Sequence, residues 1–545
     1  MNANSGKVWL STAALIFYPL ICCGATTYFR DVTADLGIDF KHENDFSPER
    51  RLVETMGAGG ALLDYDQDGD LDLYLAQGNI LNNPRSDLQN RLFRNDGHRF
   101  IDVTETAKVG NTGYAMGAVS ADYNGDGFPD LYITNLGNNI LYKNNGDGTF
   151  TDATKMASIE SHLLSTSAAF GDLDLDGDLD LYVCNYVEYE LDKDVPCYFG
   201  RMRIYCGPNQ YHGISDILYR NNGNGTFTDI TKAAGIFEPT TRGLGVVLTD
   251  VNSDGLPDIY VANDMTHNTL FINQGDGTFK EEGRIRGCAY NDDGISNGSM
   301  GVDSGDYDND GDLDLWVTNF SEEANCLMVN NGQGYFDDLT FDLGLAEPSF
   351  QPLAFGTRFL DYDNNGWSDL VIGNGHIMDN VNLINQLMTY AQSLQLFHNH
   401  NGVFEEITNG TGFSPGGYVV RGLMTGDYDN DGDVDLFLCQ SNRPLVVLRN
   451  EIGSKSSWLT IKLVSGGANT AGIGSKVSVT TGELTQTREV LNGASYLSGN
   501  DMRLSFGLSK AEVIDKIEIR WSNGQFQTLT DVASRQILVV YQKME

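Results

Sequence analysis

Short runs of apolar residues alternate with polar, glycine-rich turns along most of the chain. One kind of run, such as Leu73-Tyr-Leu75 or Leu436-Phe-Leu438, directly follows a stretch rich in aspartate. Another passes through an Asn-Gly or Asp-Gly pair into a Phe-x-Asp-x-Thr segment, as in Leu141 to Thr154. Short runs bounded by Gly, Asn and Asp are typical of β-strands, and the Asn-Gly and Asp-Gly pairs predict hairpins.

The two kinds of run alternate as parts of one repeating unit. Each unit contains an apolar strand, an acidic loop, a second strand, a linker, a third strand, a tight turn and a fourth strand. Four strands per repeat predict one blade of a β-propeller. The third strands of six units begin at Leu92, Leu141, Leu218, Leu270, Leu327 and Leu396.

The seventh unit is incomplete, because Leu445 to Asn450 is not followed by a Phe-x-Asp-x-Thr strand. A matching segment, Phe29-Arg-Asp-Val-Thr33, lies near the other end of the chain. We therefore predict that residues 28–34 hydrogen-bond to the strand at 445–449 and close the ring, which protects the strand edges. The predicted fold class is all-β, with a seven-bladed propeller over residues 26–450.

The pattern changes near residue 456, where the acidic loops stop. Runs that alternate with a period of two follow, at 458–464, 476–480, 503–506, 516–521 and 536–541. This alternation predicts a small antiparallel β domain over residues 456–545, joined to the propeller by a short linker.

A nine-residue acidic motif occurs seven times and carries the candidate chemistry. Each copy has an oxygen-bearing side chain at positions 1, 3 and 5, Gly at position 6 and Asp at position 9. Ca²⁺ takes six to eight oxygen ligands, and glycine permits the sharp turn that points such side chains inward. The alternative is a set of Asx-rich turns that bind nothing. The predicted metal ligands are Asp64, Asp66, Asp68 and Asp72; Asp122, Asn124, Asp126 and Asp130; Asp172, Asp174, Asp176 and Asp180; Asp250, Asn252, Asp254 and Asp258; Asp306, Asp308, Asp310 and Asp314; Asp361, Asp363, Asn365 and Asp369; and Asp427, Asp429, Asp431 and Asp435.

The chain of 545 residues is strongly acidic, with a formal net charge of −40. A negative field of this size repels nucleic acid and anionic membranes, so neither is an expected partner. Up to seven Ca²⁺ ions would neutralise about a third of it.

Residues 1–25 have the features of a signal peptide. Lys7 precedes an apolar run from Val8 to Ile21 that is too short to span a membrane as a mature helix. Either simple cleavage follows, or a lipid anchor is attached at Cys22 or Cys23. The protein is therefore expected to be secreted or held in the cell envelope or at the cell surface, with no transmembrane segment in the mature chain.

Six cysteines follow the predicted signal peptide. Cys197 and Cys206 lie close together in an insertion near residues 186–217 and are the expected disulfide. Cys184 and Cys439 fall in strand-like runs and are expected to be buried thiols, whereas Cys288 and Cys326 have no assigned role. A second insertion, near residues 376–395, has helix-like spacing.

The repeats and their Asn-Asn-Gly-Asp-Gly-Thr-Phe hairpins resemble FG-GAP/VCBS repeats, the blades of integrin α-subunit propellers. The C-terminal segment resembles the ASPIC/UnbV domain, on Ala471-Gly-Ile-Gly474, Thr487 to Gly493, Tyr496-Leu-Ser498 and Ile517 to Gly524. It departs from that pattern at Asn469-Thr470, where a more basic Asn-Arg pair is expected. Together the matches cover nearly the whole mature chain and are similar to the cartilage acidic protein 1-like family. The resemblance implies an integrin-α-like, calcium-binding propeller with adhesive or interaction roles and no defined catalytic residues.

Two hypotheses about function follow. The first is an exported adhesion or interaction module that binds an extracellular protein or glycan. The second is a polysaccharide lyase-like enzyme, for which the first insertion offers the basic and aromatic residues Tyr198, Arg201, Arg203, Tyr205 and Tyr211. Gly294-Ile-Ser-Asn-Gly298 has the spelling of a hydrolase nucleophile motif, but it lies in a polar loop rather than at a strand-to-helix turn. No catalytic residues are therefore assigned.

Overall fold

The computed structural model describes residues 1, 27–407 and 410–543. The predicted signal peptide, with Cys22 and Cys23, therefore lies almost entirely outside the described residues. Strands predominate, and no helix of the described part of the chain is long and apolar enough to cross a membrane. The predicted all-β class is confirmed.

Residues 29–450 form seven four-stranded antiparallel units, called sheets 1 to 7 here; sheets 2 and 3 are joined where Leu163–Leu164 pairs with Leu136–Gly137. In each sheet the strands are named inner, second, third and outer. Sheets 1 to 3 consist of Gly60–Leu63, Asp72–Leu75, Arg91–Asn95 and Phe100–Asp102; Tyr114–Ala121, Asp130–Gly137, Ile140–Asn144 and Phe150–Asp152; and Leu163–Gly171, Asp180–Asn185, Ile217–Asn221 and Phe227–Asp229. Sheets 4 and 5 consist of Gly243–Thr249, Asp258–Asn263, Thr269–Asn273 and Phe279–Glu281; and Val302–Gly305, Asp314–Val317, Cys326–Asn330 and Phe336–Asp338. Sheets 6 and 7 consist of Ala354–Leu360, Asp369–Asn374, Gln395–His400 and Val403–Glu406; and Val420–Gly426, Asp435–Gln440, Val446–Asn450 and Phe29–Asp31.

The sheets are arranged in a closed cycle. Each inner strand contacts the inner strand of the next sheet, and the inner strand of sheet 7 contacts that of sheet 1. The N-terminal strand completes sheet 7 as the sequence predicts, with Phe29 opposite Asn450 and Asp31 opposite Leu448. This arrangement is a β-propeller, in which cyclic packing leaves only short strand edges exposed.

Apolar residues fill the spaces between neighbouring sheets. In six of the seven sheets, the second strand has an aromatic residue two positions after its first aspartate, and Tyr74, Tyr132, Tyr182, Tyr260 and Trp316 are all fully buried there. The hydroxyl or indole group of each makes a hydrogen bond. For example, Trp316 Nε1 donates to Thr357 Oγ1 at 2.9 Å. Burial of such aromatic side chains stabilises a β fold by about 1.5–3 kcal/mol each.

The helices are few and short. They are the α-helices Thr104–Ala107 and Ala346–Phe350 and the 3₁₀ helices Leu52–Thr55, Leu191–Lys193, Pro208–Gln210, Val381–Leu383 and Gly453–Lys455. The prediction of a helix in the second insertion is therefore wrong, apart from the single 3₁₀ turn Val381–Leu383. The reason is local: Asn side chains bond to nearby backbone, as Asn385 Oδ1 does to Leu387 N at 3.0 Å, and such bonds compete with helix.

The C-terminal segment forms two further sheets. Sheet 8 contains Leu504–Ser509, Ser457–Val464 and Gln536–Tyr541, and sheet 9 contains Leu484–Glu489, Lys476–Thr481, Val513–Arg520 and Phe526–Ala533. The predicted β domain is present, but Ser457–Val464 pairs in parallel with Gln536–Tyr541. The prediction that all strands of this domain are antiparallel is therefore wrong for this pair. The intervening residues supply the long crossover that a parallel pair requires.

A segment of this domain, residues 491–501, enters the centre of the ring and is called the plug here. It hydrogen-bonds to the inner strands of all seven sheets, and its strand Ser498–Gly499 pairs in parallel with Gly60–Ala61. Each partner satisfies a backbone group that would otherwise be buried unpaired. The bonds, from sheet 1 to sheet 7, are Gly60 N to Leu497 O, Ala118 N to Leu497 O, Leu497 N to Ser167 Oγ, Ala494 N to Val246 O, Ser495 N to Val302 O, Thr357 N to Ser495 Oγ and Thr425 N to Asn500 Oδ1.

Candidate metal centres

The seven acidic loops occupy the same place in their sheets. Each connects an inner strand to a second strand, so position 9 is always the first residue of the second strand. We number the loops 1 to 7 with their sheets, from loop 1 at Asp64–Asp72 to loop 7 at Asp427–Asp435. All the predicted ligand side chains therefore lie at one end of the propeller.

Glycine at position 6 is required by the backbone. Its φ lies between +94° and +96° in every loop, in the left-handed region that other residues rarely adopt. The amide of the residue after it donates to the side chain at position 5, as Asp70 N does to Asp68 Oδ1 at 2.9 Å. The turn therefore orients the position-5 side chain in the same way in each loop.

The aspartate at position 9 is buried in every loop. In loop 1, Asp72 Oδ2 accepts from Tyr65 N at 3.0 Å and Asp72 Oδ1 accepts from Asn95 N at 2.8 Å. Equivalent pairs of bonds occur in the other six loops. Because the backbone holds both carboxylate oxygens, this residue fixes the loop onto the third strand.

An asparagine at or next to the end of each third strand joins neighbouring sheets, a role not predicted from the sequence. Its side-chain amide donates to the carbonyl at loop position 2 of the preceding sheet, and the set closes around the ring. This asparagine recurs at the same place in the third strand of all seven units, and that recurrence is the sequence signal from which the role could have been predicted. The bonds, all 2.7–2.8 Å, are Asn95 to Tyr428 O, Asn144 to Tyr65 O, Asn221 to Tyr123 O, Asn273 to Leu173 O, Asn330 to Val251 O, Asn399 to Tyr307 O and Asn450 to Tyr362 O.

The loops concentrate negative charge without enough protein cations to balance it. Burial raises the pKa of Asp72, Asp130, Asp180 and Asp258 to about 8, against an ordinary value of 3.8. Neighbouring carboxylates add to this effect. Buried carboxylates of like charge favour either protons or a bound cation.

The donor set fits a hard divalent cation best in loops 1, 3, 5 and 7. In each of these loops three carboxylates bring oxygen atoms within 4.8 Å of one another. Several buried oxygens have no hydrogen-bond partner among the described residues, namely Asp64 Oδ1, Asp66 Oδ1, Asp172 Oδ1 and Asp429 Oδ1. Unpaired buried oxygens converging on one point are what Ca²⁺ coordination requires.

Loops 2, 4 and 6 differ because each has an Asn among its ligand positions. In loop 2 the Asn124 amide donates to Asp130 Oδ2 at 2.8 Å, and in loop 4 the Asn252 amide donates to Asp254 Oδ2 at 2.9 Å. In loop 6, Asp363 and Asp369 converge with His398 of the third strand. This histidine lies outside the nine-residue motif and was not predicted as a ligand.

The C-terminal domain lies against the loop end of the propeller and contacts several position-1 aspartates. Lys462 Nζ lies 3.2 Å from Asp64 Oδ2 and Arg520 Nη1 lies 3.3 Å from Asp250 Oδ2. Thr470, at the departure noted above, donates to Asp122 Oδ2 at 3.0 Å. These contacts partly offset the loop charge from one side.

The first insertion lies at the opposite end of its sheet, between the second and third strands of sheet 3. It contains the hairpin Cys197–Phe199 and Met202–Ile204, closed by the Cys197–Cys206 disulfide. Among the described residues, Cys184, Cys288, Cys326 and Cys439 are buried thiols, as expected for the first and last of them.

Most of the basic and aromatic cluster in this insertion is engaged in packing. Tyr205 is buried and donates to Glu54 Oε2 at 3.0 Å, while Tyr211 donates to Asp194 Oδ1 at 2.8 Å. Arg203 donates to the Glu49 carbonyl at 2.7 Å and lies 5.6 Å from the centre of the Tyr198 ring. Arg201 is exposed.

Two family models match the chain. The FG-GAP-like repeat model matches residues 64–133, 122–183, 204–261, 250–317, 306–372 and 361–438, and the ASPIC and UnbV model matches residues 465–545. Five of the six repeat matches begin at position 1 of an acidic loop. The matched unit therefore starts where the aspartate motif starts.

The relatives agree with the family match. The chain is 27% identical to human cartilage acidic protein 1 over 498 residues, covering 86% of this chain and 69% of that protein. It is 26% identical to the mouse protein of the same name, covering 86% of this chain and 70% of that protein. A structure of an Agrocybe aegerita lectin that recognises non-reducing terminal N-acetylglucosamine shares 15% identity and a TM-score of 0.38, covering 71% of this chain and 86% of that one.

Proposed function

Because the chain belongs to the FG-GAP-like repeat family and ends in an ASPIC and UnbV domain, we propose that it is an exported calcium-binding propeller that acts as an extracellular interaction module. Residues 1–25 would direct export, residues 26–450 would form the seven-bladed ring, and residues 456–545 would cover its loop end. The observation that carries the proposal is the convergence of carboxylate oxygens in loops 1, 3, 5 and 7, together with the buried, unpaired oxygens in loops 1, 3 and 7.

Calcium would act as a structural cofactor in up to seven loops. A bound ion would neutralise carboxylates that burial otherwise drives toward protonation. At a free Ca²⁺ concentration ten times its dissociation constant, each site adds about 1.4 kcal/mol to the free energy of unfolding. Several occupied loops would therefore determine whether the ring stays folded, and millimolar extracellular calcium suits sites of this kind.

The partner surface is proposed at the end of the propeller away from the loops. The C-terminal domain contacts the loop end and the plug occupies the centre, so both are already engaged with the protein itself. The two insertions leave Tyr198 60% exposed, Leu383 69% exposed and Leu387 84% exposed. Exposed aromatic and aliphatic side chains of this kind are typical of binding surfaces for proteins or glycans.

The first test concerns calcium. A thermal melt of residues 26–545 in excess Ca²⁺ and in chelator, with bound metal counted by elemental analysis, should give several ions per chain and a large fall in melting temperature on chelation. The Asp310→Asn variant should bind fewer ions, whereas Asp276→Asn, in an exposed hairpin turn, should match the wild type. An unchanged melt without bound metal would show that the loops are acidic turns.

The second test concerns the partner. Immobilised full chain in calcium would be screened against panels of glycans and extracellular matrix proteins. The double variant Leu383→Ser, Leu387→Ser should lose binding. Phe526→Ser, which changes a residue 75% exposed in the C-terminal domain, should retain it. An equal loss of binding in the double variant and in Phe526→Ser would show that the binding surface is not formed by the insertions.

The enzyme hypothesis draws less support. Tyr205, Tyr211 and Arg203 make contacts within the protein, which favours a disulfide-pinned packing loop over an open cleft. The Gly294–Gly298 motif lies in a loop without the strand-to-helix turn that its chemistry requires.

A further inference from the structure

One residue in the third strand of sheet 6 distinguishes loop 6 from the other loops. The residue before the sheet-joining asparagine is His398 in sheet 6, and the side chain at this place lies near the acidic loop of the same sheet. In sheet 2, Lys143 Nζ lies 3.0 Å from Asp126 Oδ2, at position 5 of loop 2. The residues at this place in the other sheets are Arg94, Lys143, Arg220, Ile272, Val329 and Arg449.

Loop 6 also differs in its own ligand positions. Position 5 is Asn365, whereas every other loop has Asp there. The Asn365 Oδ1 atom accepts a hydrogen bond from Trp367 N at 2.8 Å. Loop 6 therefore has one carboxylate fewer than loops 1, 3, 5 and 7 and one imidazole that those loops lack.

The imidazole lies among the carboxylates. His398 Nδ1 is 3.2 Å from Asp369 Oδ1 and 4.0 Å from Asp363 Oδ2, and one ligand atom from each residue lies within 4.8 Å of the others. Asp369 is completely buried, while about a quarter of the His398 and Asp363 side chains is exposed. The three donors thus form a site that is partly exposed to solvent, so water can supply a further ligand.

The ring is held by aromatic contacts, and its Nδ1 atom faces the two carboxylates. His398 meets the Tyr362 ring edge-on with centroids 5.7 Å apart, and it stacks on His400 with centroids 6.4 Å apart. Its Nδ1 atom is shielded from solvent and makes no directed hydrogen bond within the described part of the chain. An oriented ring nitrogen that faces two carboxylates is a metal-ligand arrangement.

We propose that Asp363, Asp369 and His398 form a mixed nitrogen and oxygen site for a divalent transition metal of the Zn²⁺ class. Imidazole suits zinc and its neighbours, whereas Ca²⁺ selects oxygen ligands. Three protein ligands with an open position are a recurring zinc arrangement. The inference deepens the proposed function, because it rests on the acidic loops being metal sites and assigns one of them to a different metal.

The test measures both metals on the same protein. Full chain is stripped with chelator, saturated with Ca²⁺ and titrated with Zn²⁺; bound metals are counted by elemental analysis, and Co²⁺ serves as an optical substitute. One equivalent of Zn²⁺ is expected on the calcium-loaded protein. His398→Arg, which introduces the residue found in three other sheets, should weaken Zn²⁺ binding at least about tenfold. His162→Ala, at an exposed position outside sheet 6, should leave it unchanged.

The possible outcomes separate the two proposals. Calcium binding without Zn²⁺ binding would overturn this inference and leave the proposed function intact, since His398 would then only pair with Asp369. Zn²⁺ binding that persists in His398→Arg would also overturn it, by locating the metal on another histidine. Zn²⁺ binding that depends on His398 in a chain that binds no Ca²⁺ would support the site and refute the calcium proposal. Equal melting temperatures of the variants would show that folding is not the cause.

Discussion

Asp216 offers a sharp test of how burial acts on charge in this fold. It precedes the third strand of sheet 3, where its Oδ1 accepts from Asn185 N at 2.7 Å and its Oδ2 accepts from the Tyr182 hydroxyl at 2.9 Å. Four other sheets have asparagine at this place, with its side-chain oxygen accepting the equivalent backbone amide. They are Asn90, Asn139, Asn268 and Asn325.

The Asp216→Asn variant should therefore be more stable at neutral and alkaline pH. Burial raises the pKa of Asp216 from 3.8 to about 7. Since the folded pKa lies above the unfolded one, the folded state keeps its proton while the unfolded state ionises, so stability falls as pH rises from about 4 to about 7. Each unit of difference between the folded and unfolded pKa corresponds to about 1.4 kcal/mol. Above pH 7, the burial of Asp216 therefore lowers the free energy of unfolding by about 4 kcal/mol.

The variant avoids this cost and keeps the geometry. An Asn Oδ1 can accept from Asn185 N, and its amide can donate to Tyr182, as the Asn139 amide does to the Tyr132 hydroxyl at 3.0 Å. Urea unfolding in excess Ca²⁺ at pH 5, 6, 7 and 8 should show a stability gain that grows with pH. Asp293→Asn, at an exposed loop position, should show none. A gain that does not depend on pH, or a loss at pH 8, would refute the reasoning.

Three further predictions concern contacts between parts of the fold. Asn144→Ala should lower the free energy of unfolding by about 1–3 kcal/mol, because it leaves a buried carbonyl of sheet 1 unpaired; urea unfolding should show a much smaller effect for the exposed Asn145→Ala, and equal effects would contradict the inter-sheet role. Gly117→Ala should loosen the plug, because its Cβ would lie 2.4 Å from Leu497 O; faster proteolysis in the C-terminal domain is expected, whereas Gly466→Ala, which points into open space, should behave like wild type. Removal of the disulfide by paired serine substitutions should cost about 2–3 kcal/mol, since it closes a short loop; calcium content should not change, and a loss of bound ions would show that the insertion supports the metal loops.

Much of the fold follows from short-range sequence signals. The acidic loop is a local turn, so the glycine at position 6 and the aspartate at position 9 appear at fixed spacing in the sequence. The strand that closes sheet 7 is also visible, because Phe29 to Thr33 keeps the pattern that the seventh unit lacks. By contrast, the helix expected in the second insertion failed, because apolar spacing there competes with asparagine side chains that bond to the nearby backbone.

The contacts between distant residues were decided only by the tertiary structure. Residues 491–501 lie between the strands predicted for the C-terminal domain, with no signal that they contact the propeller. The seven inner strands have backbone and side-chain groups at the ring centre, and this segment bonds to them. His398 is an unremarkable strand residue in the sequence; folding brings it next to Asp363 and Asp369. The sequence by itself determined the repeating strands and acidic turns, since these depend on neighbouring residues. Which groups meet across the ring depends on cyclic packing, which no local spacing encodes.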